Sequence, residues 1–148
     1  MVADITTNLK GRKPVDVTIN KINDIIQWYK DNYKKGSLED YMNAKSLLET
    51  SCWDLASFVG ETKDAQLTTE SDRKLKHHLK RKEFIEGDYS IARAEDEAIL
   101  ATEAEKRRAD SFESYYATLR LMLDASWRVG DALTQKIAIC RAELKSLS

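Results

Sequence analysis

One proline and five glycines in 148 residues leave this chain little with which to make turns. A β-sheet of useful size needs many turns, and turns draw on Gly and Pro. Long stretches rich in Ala, Glu, Lys, Leu and Arg instead carry apolar residues at three- and four-residue spacing. The chain is therefore expected to be all-α. At this length one domain with a modest core is expected. No run reaches the 18 or more apolar residues of a membrane span, and no secretory signal pattern opens the chain. Cys52 and Cys140 each sit among apolar residues at helical spacing, with no CxxC pair. They read as buried free thiols of a reducing compartment, which places the protein in the cytoplasm.

Residues 1–16 are polar and contain Gly11 and Pro14. They read as a flexible arm with a small basic cluster at Lys10, Arg12 and Lys13. Ile19, Ile22, Ile25, Ile26, Tyr29 and Tyr33 then mark an amphipathic helix that Gly36 stops. Ser37-Leu38-Glu39-Asp40 has the form of an N-cap with an acid three residues on, which starts a second helix. Its stripe is Leu38, Tyr41, Met42, Leu48, Cys52, Leu55 and Val59, with Gly60 as the terminating residue. The two helices are expected to pair as a hairpin covering Trp28 and Trp53, and 61–71 reads as a loop or helix start. A basic helix follows, with Leu75, Leu79 and Phe84 on its apolar side, and Gly87 breaks it. Asp88 is the expected cap of what comes next. From there to about Lys145 there is no Pro and only Gly130, which predicts one helix of about 85 Å. Three regions result: the arm 1–16, a helical binding region 17–87, and a long C-terminal helix 88–148.

The strongest functional signal is Arg73-Lys74-Leu75-Lys76-His77-His78-Leu79-Lys80-Arg81-Lys82. Six cations fall in ten residues of a protein whose formal net charge is −1. Clustered Lys and Arg displace counterions from a polyanion, so Arg73, Lys74, Lys76, Lys80, Arg81 and Lys82 are candidate phosphate contacts. A solvated helix face and a site for an acidic protein are the competing readings. Phe84 and Tyr89 flank the segment at a predicted break and are candidates for base stacking. Adjacent His77 and His78 point about 100° apart on a helix and do not form a chelating pair. No GK[ST] phosphate loop, nucleophile setting or metal-ligand cluster stands out, so a non-enzymatic role without cofactor is expected.

The second signal is a heptad-like register: Phe112, Tyr115, Leu119, Met122, Ser126, Val129, Leu133, Ile137, Cys140 and Leu144. Tyr116, Leu123 and Ile139 widen it. Such a stripe suggests assembly into a multi-helix bundle or homo-oligomer. The acidic run Glu95-Asp96-Glu97 reads as a solvated face, or as a match for a neighbouring subunit's basic segment. Lys106-Arg107-Arg108 follows Glu103 and Glu105 closely enough for intrahelical pairing.

The layout over about residues 75–142 resembles the UvsY-like recombination mediators of bacteriophages. The matching elements are Leu79-Lys80-Arg81-Lys82-Glu83-Phe84 with the break at Gly87, then Asp110 to Leu119 with its aromatic pair Tyr115-Tyr116. The match continues through Leu121, Leu123 and Asp124 to Asp131-Ala132-Leu133 and Ile137-Ala138-Ile139. The family's Gly-rich acidic loop is reduced here to Glu86-Gly87-Asp88, and the N-terminal hairpin is longer. The resemblance implies a ring-forming oligomer in a bacterial host cell. It would bind single-stranded DNA and help a RecA-type recombinase displace a single-strand-binding protein. Without the resemblance, three alternatives stand: an oligomeric adaptor or inhibitor that meets an acidic protein surface, a purely structural coiled-coil subunit, or an enzyme with an unrecognised site.

Overall fold

The computed structural model describes residues 13–148. Those residues form four helices and no strand: α1 Lys13–Asn32, α2 Leu38–Glu86, α3 Ile91–Ala101 and α4 Glu103–Ser146. They divide into two compact units. One comprises residues 13–59 with Thr118–Ser148, and the other is Gly60–Ala117.

In the first unit, α1 and the start of α2 form the expected hairpin. Gly36 N–H donates to the Asn32 carbonyl at 2.9 Å and closes the turn. Ser37 then caps α2 reciprocally: its Oγ accepts from Asp40 N–H at 3.1 Å, and its own N–H donates to Asp40 Oδ2 at 2.9 Å. This is the capping-box geometry, with Asp where Glu is usual. Tyr41 lies fully buried under the turn. Its hydroxyl donates to the Asn32 carbonyl at 2.8 Å and accepts from Gly36 N–H at 3.0 Å, while Trp28 packs edge-on against its ring at 5.9 Å. The C-terminal part of α4 runs antiparallel to α2 in this unit. Lys136 Nζ sits 5.7 Å from the Tyr41 ring centre, Arg141 approaches Met42 Sδ at 3.9 Å, and Ser126 lies beside Cys52. Val15, Ile22, Leu48, Leu55, Leu119, Leu123, Leu133 and Ile137 form the core.

The second unit brings the rest of α2 against α3 and the start of α4. Lys63 Nζ lies 4.8 Å from the Tyr116 ring centre. Thr62, Ala94, Ala98, Thr102, Ala109, Phe112 and Tyr115 are buried. Much of this core is small side chains, which let helices approach closely.

Several sequence expectations need correction. The arm ends sooner than expected: residues 13–16 belong to the first turn of α1, and Val15 is buried. Lys10 and Arg12 lie outside the described residues. Gly60 does not end α2, and residues 61–71 are not a loop; the helix runs on for 49 residues. A side chain at Gly60 would meet nothing within 4 Å, so this glycine is an exposed helical residue. It costs about 1 kcal/mol relative to Ala, which packing on either side of it overcomes. Trp53 is 71% exposed, not covered by the hairpin.

The segment 88–145 is two helices. The cap of α3 is Ser90, whose Oγ accepts from Arg93 N–H at 3.2 Å, and not Asp88. The chain breaks again at Thr102, a buried residue whose hydroxyl donates to the Ala98 carbonyl at 2.8 Å. The same side-chain bond occurs at Thr69 and Ser126 within unbroken helices, so it accompanies the break and does not account for it.

Finally, much of the α4 register lies inside the chain's own units. Phe112, Tyr115, Leu119, Ser126, Leu133 and Ile137 are buried, Met122, Val129 and Cys140 are partly covered, and Leu144 is exposed. The buried positions of this stripe pack within the chain's own units, as a multi-helix bundle requires.

Candidate nucleic-acid interface

The basic segment is helical, lies on α2 in the second unit, and ends at Glu86 as its break at Gly87 predicts. Tyr89 N–H donates to the Phe84 carbonyl at 3.1 Å and Asp88 N–H to the Ile85 carbonyl at 3.2 Å. These are the two bonds of a Schellman motif. The left-handed residue is Asp88, at φ 68°, with Gly87 one position earlier. Asp tolerates this conformation better than most side chains.

The motif also brings Phe84 and Tyr89 together, with ring centres 5.3 Å apart. The Arg93 guanidinium covers Tyr89 at 4.3 Å. Tyr89 thus has Phe84 and Arg93 as its neighbours, and the pair acts as the apolar clasp of a helix end. The two candidates for base stacking thus lie side by side, each partly covered.

The helix also faces the other way from the sequence expectation. Leu75 and Leu79 point outward, 59% and 55% exposed. The inward side carries Arg73, His77, Arg81 and Phe84, each partly covered. Carboxylates on α3 and α4 lie against this side of the helix. Glu95 of α3 lies 2.9 Å from Arg81 Nε and 3.1 Å from His77 Nε2. Glu105 of α4 pairs with Lys76.

The remaining cations find partners along α2. Arg73 makes a two-pronged contact with Glu70 at 2.7 and 3.0 Å, and Lys74 stands 3.9 Å from the same carboxylate. Lys80 pairs with Glu83 at 3.1 Å and Lys82 with Glu86 at 4.0 Å. The hydrogen bond from Arg73 holds the Glu70 carboxyl below its ordinary range, and that from Lys76 does the same for Glu105.

All six candidate phosphate contacts therefore share one helix, and each has an acidic neighbour: Glu70, Glu83, Glu86, Glu95 or Glu105. Lys74 and Lys82 are the most open, with side chains 70% and 67% exposed. The acidic partners were only partly legible. Glu95, read as part of a solvated face or as a match for a neighbouring subunit, meets Arg81 and His77 of its own chain. Glu105 was placed beside Lys106-Arg107-Arg108, but Glu103 alone takes that part, with Arg107 at 2.7 Å. Arg108 lies instead 5.9 Å from the Phe112 ring centre. Among the described residues no cluster of His, Cys, Asp and Glu could hold a metal ion, and no helix is long and apolar enough to cross a membrane.

No family model matches this sequence, and no curated protein or solved structure matches it either.

Proposed function

We propose that this protein is a helical accessory protein that holds single-stranded DNA through α2, in the manner implied by its resemblance to UvsY-like recombination mediators. On that reading it helps a RecA-type recombinase replace a single-strand-binding protein. The observation that supports it is the run of six cations at 73–82 on an accessible helix, with acidic partners that lie at or near the surface. Surface ion pairs contribute little and are screened by salt. A phosphate chain can therefore exchange with the carboxylates, yet each exchange returns only a small gain. The result is weak, salt-sensitive, sequence-independent binding per chain. Several copies acting together would hold a strand through avidity while leaving it easy to hand over.

The test is fluorescence anisotropy of a labelled single-stranded oligonucleotide titrated across a salt series. The expected result is binding at low salt that falls steeply as salt rises. Lys80→Ala, Arg81→Ala and Lys82→Ala together should lower the slope of log affinity on log salt by about 2, from three phosphates at about 0.7 each. Unchanged affinity in that variant overturns the assignment. A second reading is a protein-interaction adaptor with no nucleic-acid role. Two observations favour it: the cations are matched by acids of the same chain, and the outward face of α2 is apolar at Leu75 and Leu79. Absence of binding even at low salt selects that second reading.

A further inference from the structure

The outward side of α2 in the Gly60–Ala117 unit carries its own heptad. Thr68, Asp72, Leu75, Leu79, Lys82 and Glu86 follow steps of four, three, four, three and four, and all six are exposed. This spacing places them in one stripe, about 27 Å long at 1.5 Å per residue. Nothing within the unit covers Leu75 or Leu79, which are 59% and 55% exposed. A pair of leucines at the centre of a helix face, with charged residues at both ends, is the arrangement of a helix–helix contact.

The order of charges identifies the occupant. If a second copy of α2 lies antiparallel with the two-fold axis beside residue 77, Leu75 of one copy packs on Leu79 of the other, and the reverse. Asp72 then faces Lys82 of the second copy, and Lys82 faces its Asp72. Thr68 meets Glu86 at each end. Every layer pairs one heptad core position with the other type, as antiparallel packing requires. Both charged layers are attractive. A parallel pairing would set Asp72 on Asp72 and Lys82 on Lys82, and it is disfavoured twice over. Lys76 flanks the axis on both copies, and its charge is offset by Glu105 of its own unit.

We infer that α2 is a self-association surface, in which two copies of this chain pair antiparallel through Leu75 and Leu79 with Asp72–Lys82 contacts on either side. This interface lies on α2, not on the α4 register, and it does not rest on the single-strand reading. The stripe is short, so the dimer dissociates on dilution.

Sedimentation velocity of the full chain over a concentration series tests it, with helicity followed by circular dichroism. The wild type is expected to associate reversibly. Leu75→Glu combined with Leu79→Glu, both at exposed positions, should remove that association step. Asp72→Lys places Lys opposite Lys82 and should raise the dissociation constant about tenfold. Adding Lys82→Asp to Asp72→Lys restores opposite signs in the antiparallel register and should recover the association. A wild type that stays monomeric at every concentration overturns the inference. So does association that Leu75→Glu with Leu79→Glu leaves intact, or that the double charge swap fails to recover.

Discussion

Replacing Gly36 by Ala tests whether the α1–α2 turn depends on space or on backbone conformation. A Cβ at Gly36 would stand 2.9 Å from Tyr41 Cζ, 3.0 Å from Cε1 and 3.1 Å from the hydroxyl oxygen. Ordinary contact begins near 3.4 Å, and the ring cannot retreat, because Tyr41 is fully buried and its hydroxyl is held by Asn32 and Gly36. Overpacking of this kind costs about 1–3 kcal/mol. Ala also reduces the freedom of the unfolded chain, which offsets about 0.4–1 kcal/mol. The net expectation is a loss, at most about 2.6 kcal/mol. In a Tyr41→Leu background the far end of the ring is gone, so only the unfolded-state term remains. There Gly36→Ala should stabilise by about 0.4–1 kcal/mol. Urea unfolding followed by far-UV circular dichroism on the four proteins of this cycle gives each value. The reasoning fails if Gly36→Ala destabilises equally in both backgrounds, which would place the strain in the backbone. It fails as well if the change is harmless beside the native Tyr41.

The packing of α4 predicts that Leu133→Ala lowers unfolding stability by about 2–5 kcal/mol, while Leu144→Ala, at an exposed position, stays within about 0.5 kcal/mol; equal effects on thermal melts would refute the burial described. Asp40 is held below its ordinary carboxylate range, chiefly by the Ser37 backbone N–H and then by the Ser37 side chain. Its contribution is therefore present above the unfolded value and lost as pH falls through the lower folded one, below about pH 4. An NMR titration should show Asp40 protonating at lower pH than a free Asp, and Ser37→Ala, which keeps the backbone N–H and removes only the hydroxyl, should move it only part of the way back. Glu95→Gln removes the carboxylate shared by His77 and Arg81. If α2 holds single-stranded DNA, this variant should bind more tightly at low salt and gain up to about 0.7 in salt slope for each phosphate newly contacted; identical titration curves count against that site.

The all-helical character was legible because Gly and Pro are scarce, and the two sharp turns were legible because each has a local chemical signature. Ser37 and Asp40 announce a capping box, and Gly87 announces the end of α2. What the sequence concealed were outcomes decided by tertiary contacts. Gly60 looks like a stop until packing on both sides carries the helix through it. Thr102 looks like an ordinary helical residue, and no local signature marks the break there. The orientation of the basic segment is another such outcome. Leu75 and Leu79 look like the buried side of an amphipathic helix, but Arg73, His77, Arg81 and Phe84 are the residues turned inward, where Glu95, distant in sequence, meets Arg81 and His77. Periodicity identifies which residues share a face, and only the partners decide which face turns inward. In α4 the periodicity suggests a multi-helix bundle or homo-oligomer, and much of it is interior to the chain's own units.

Cys52 offers a different kind of access to this molecule. It is 1% exposed, and burial raises its thiol above the ordinary range, an effect that the neighbouring Ser126 hydroxyl only partly offsets. A thiol in that condition is nearly inert to alkylating reagents while the helices around it stay closed. Cys140, on the same unit, is partly exposed and so reacts without waiting for such an event. One reagent added to the unmodified protein thus starts two clocks. The fast one reports the reagent, and the slow one counts how often α2 and α4 part at Cys52. Breathing of this unit can be timed with no label introduced and no residue changed.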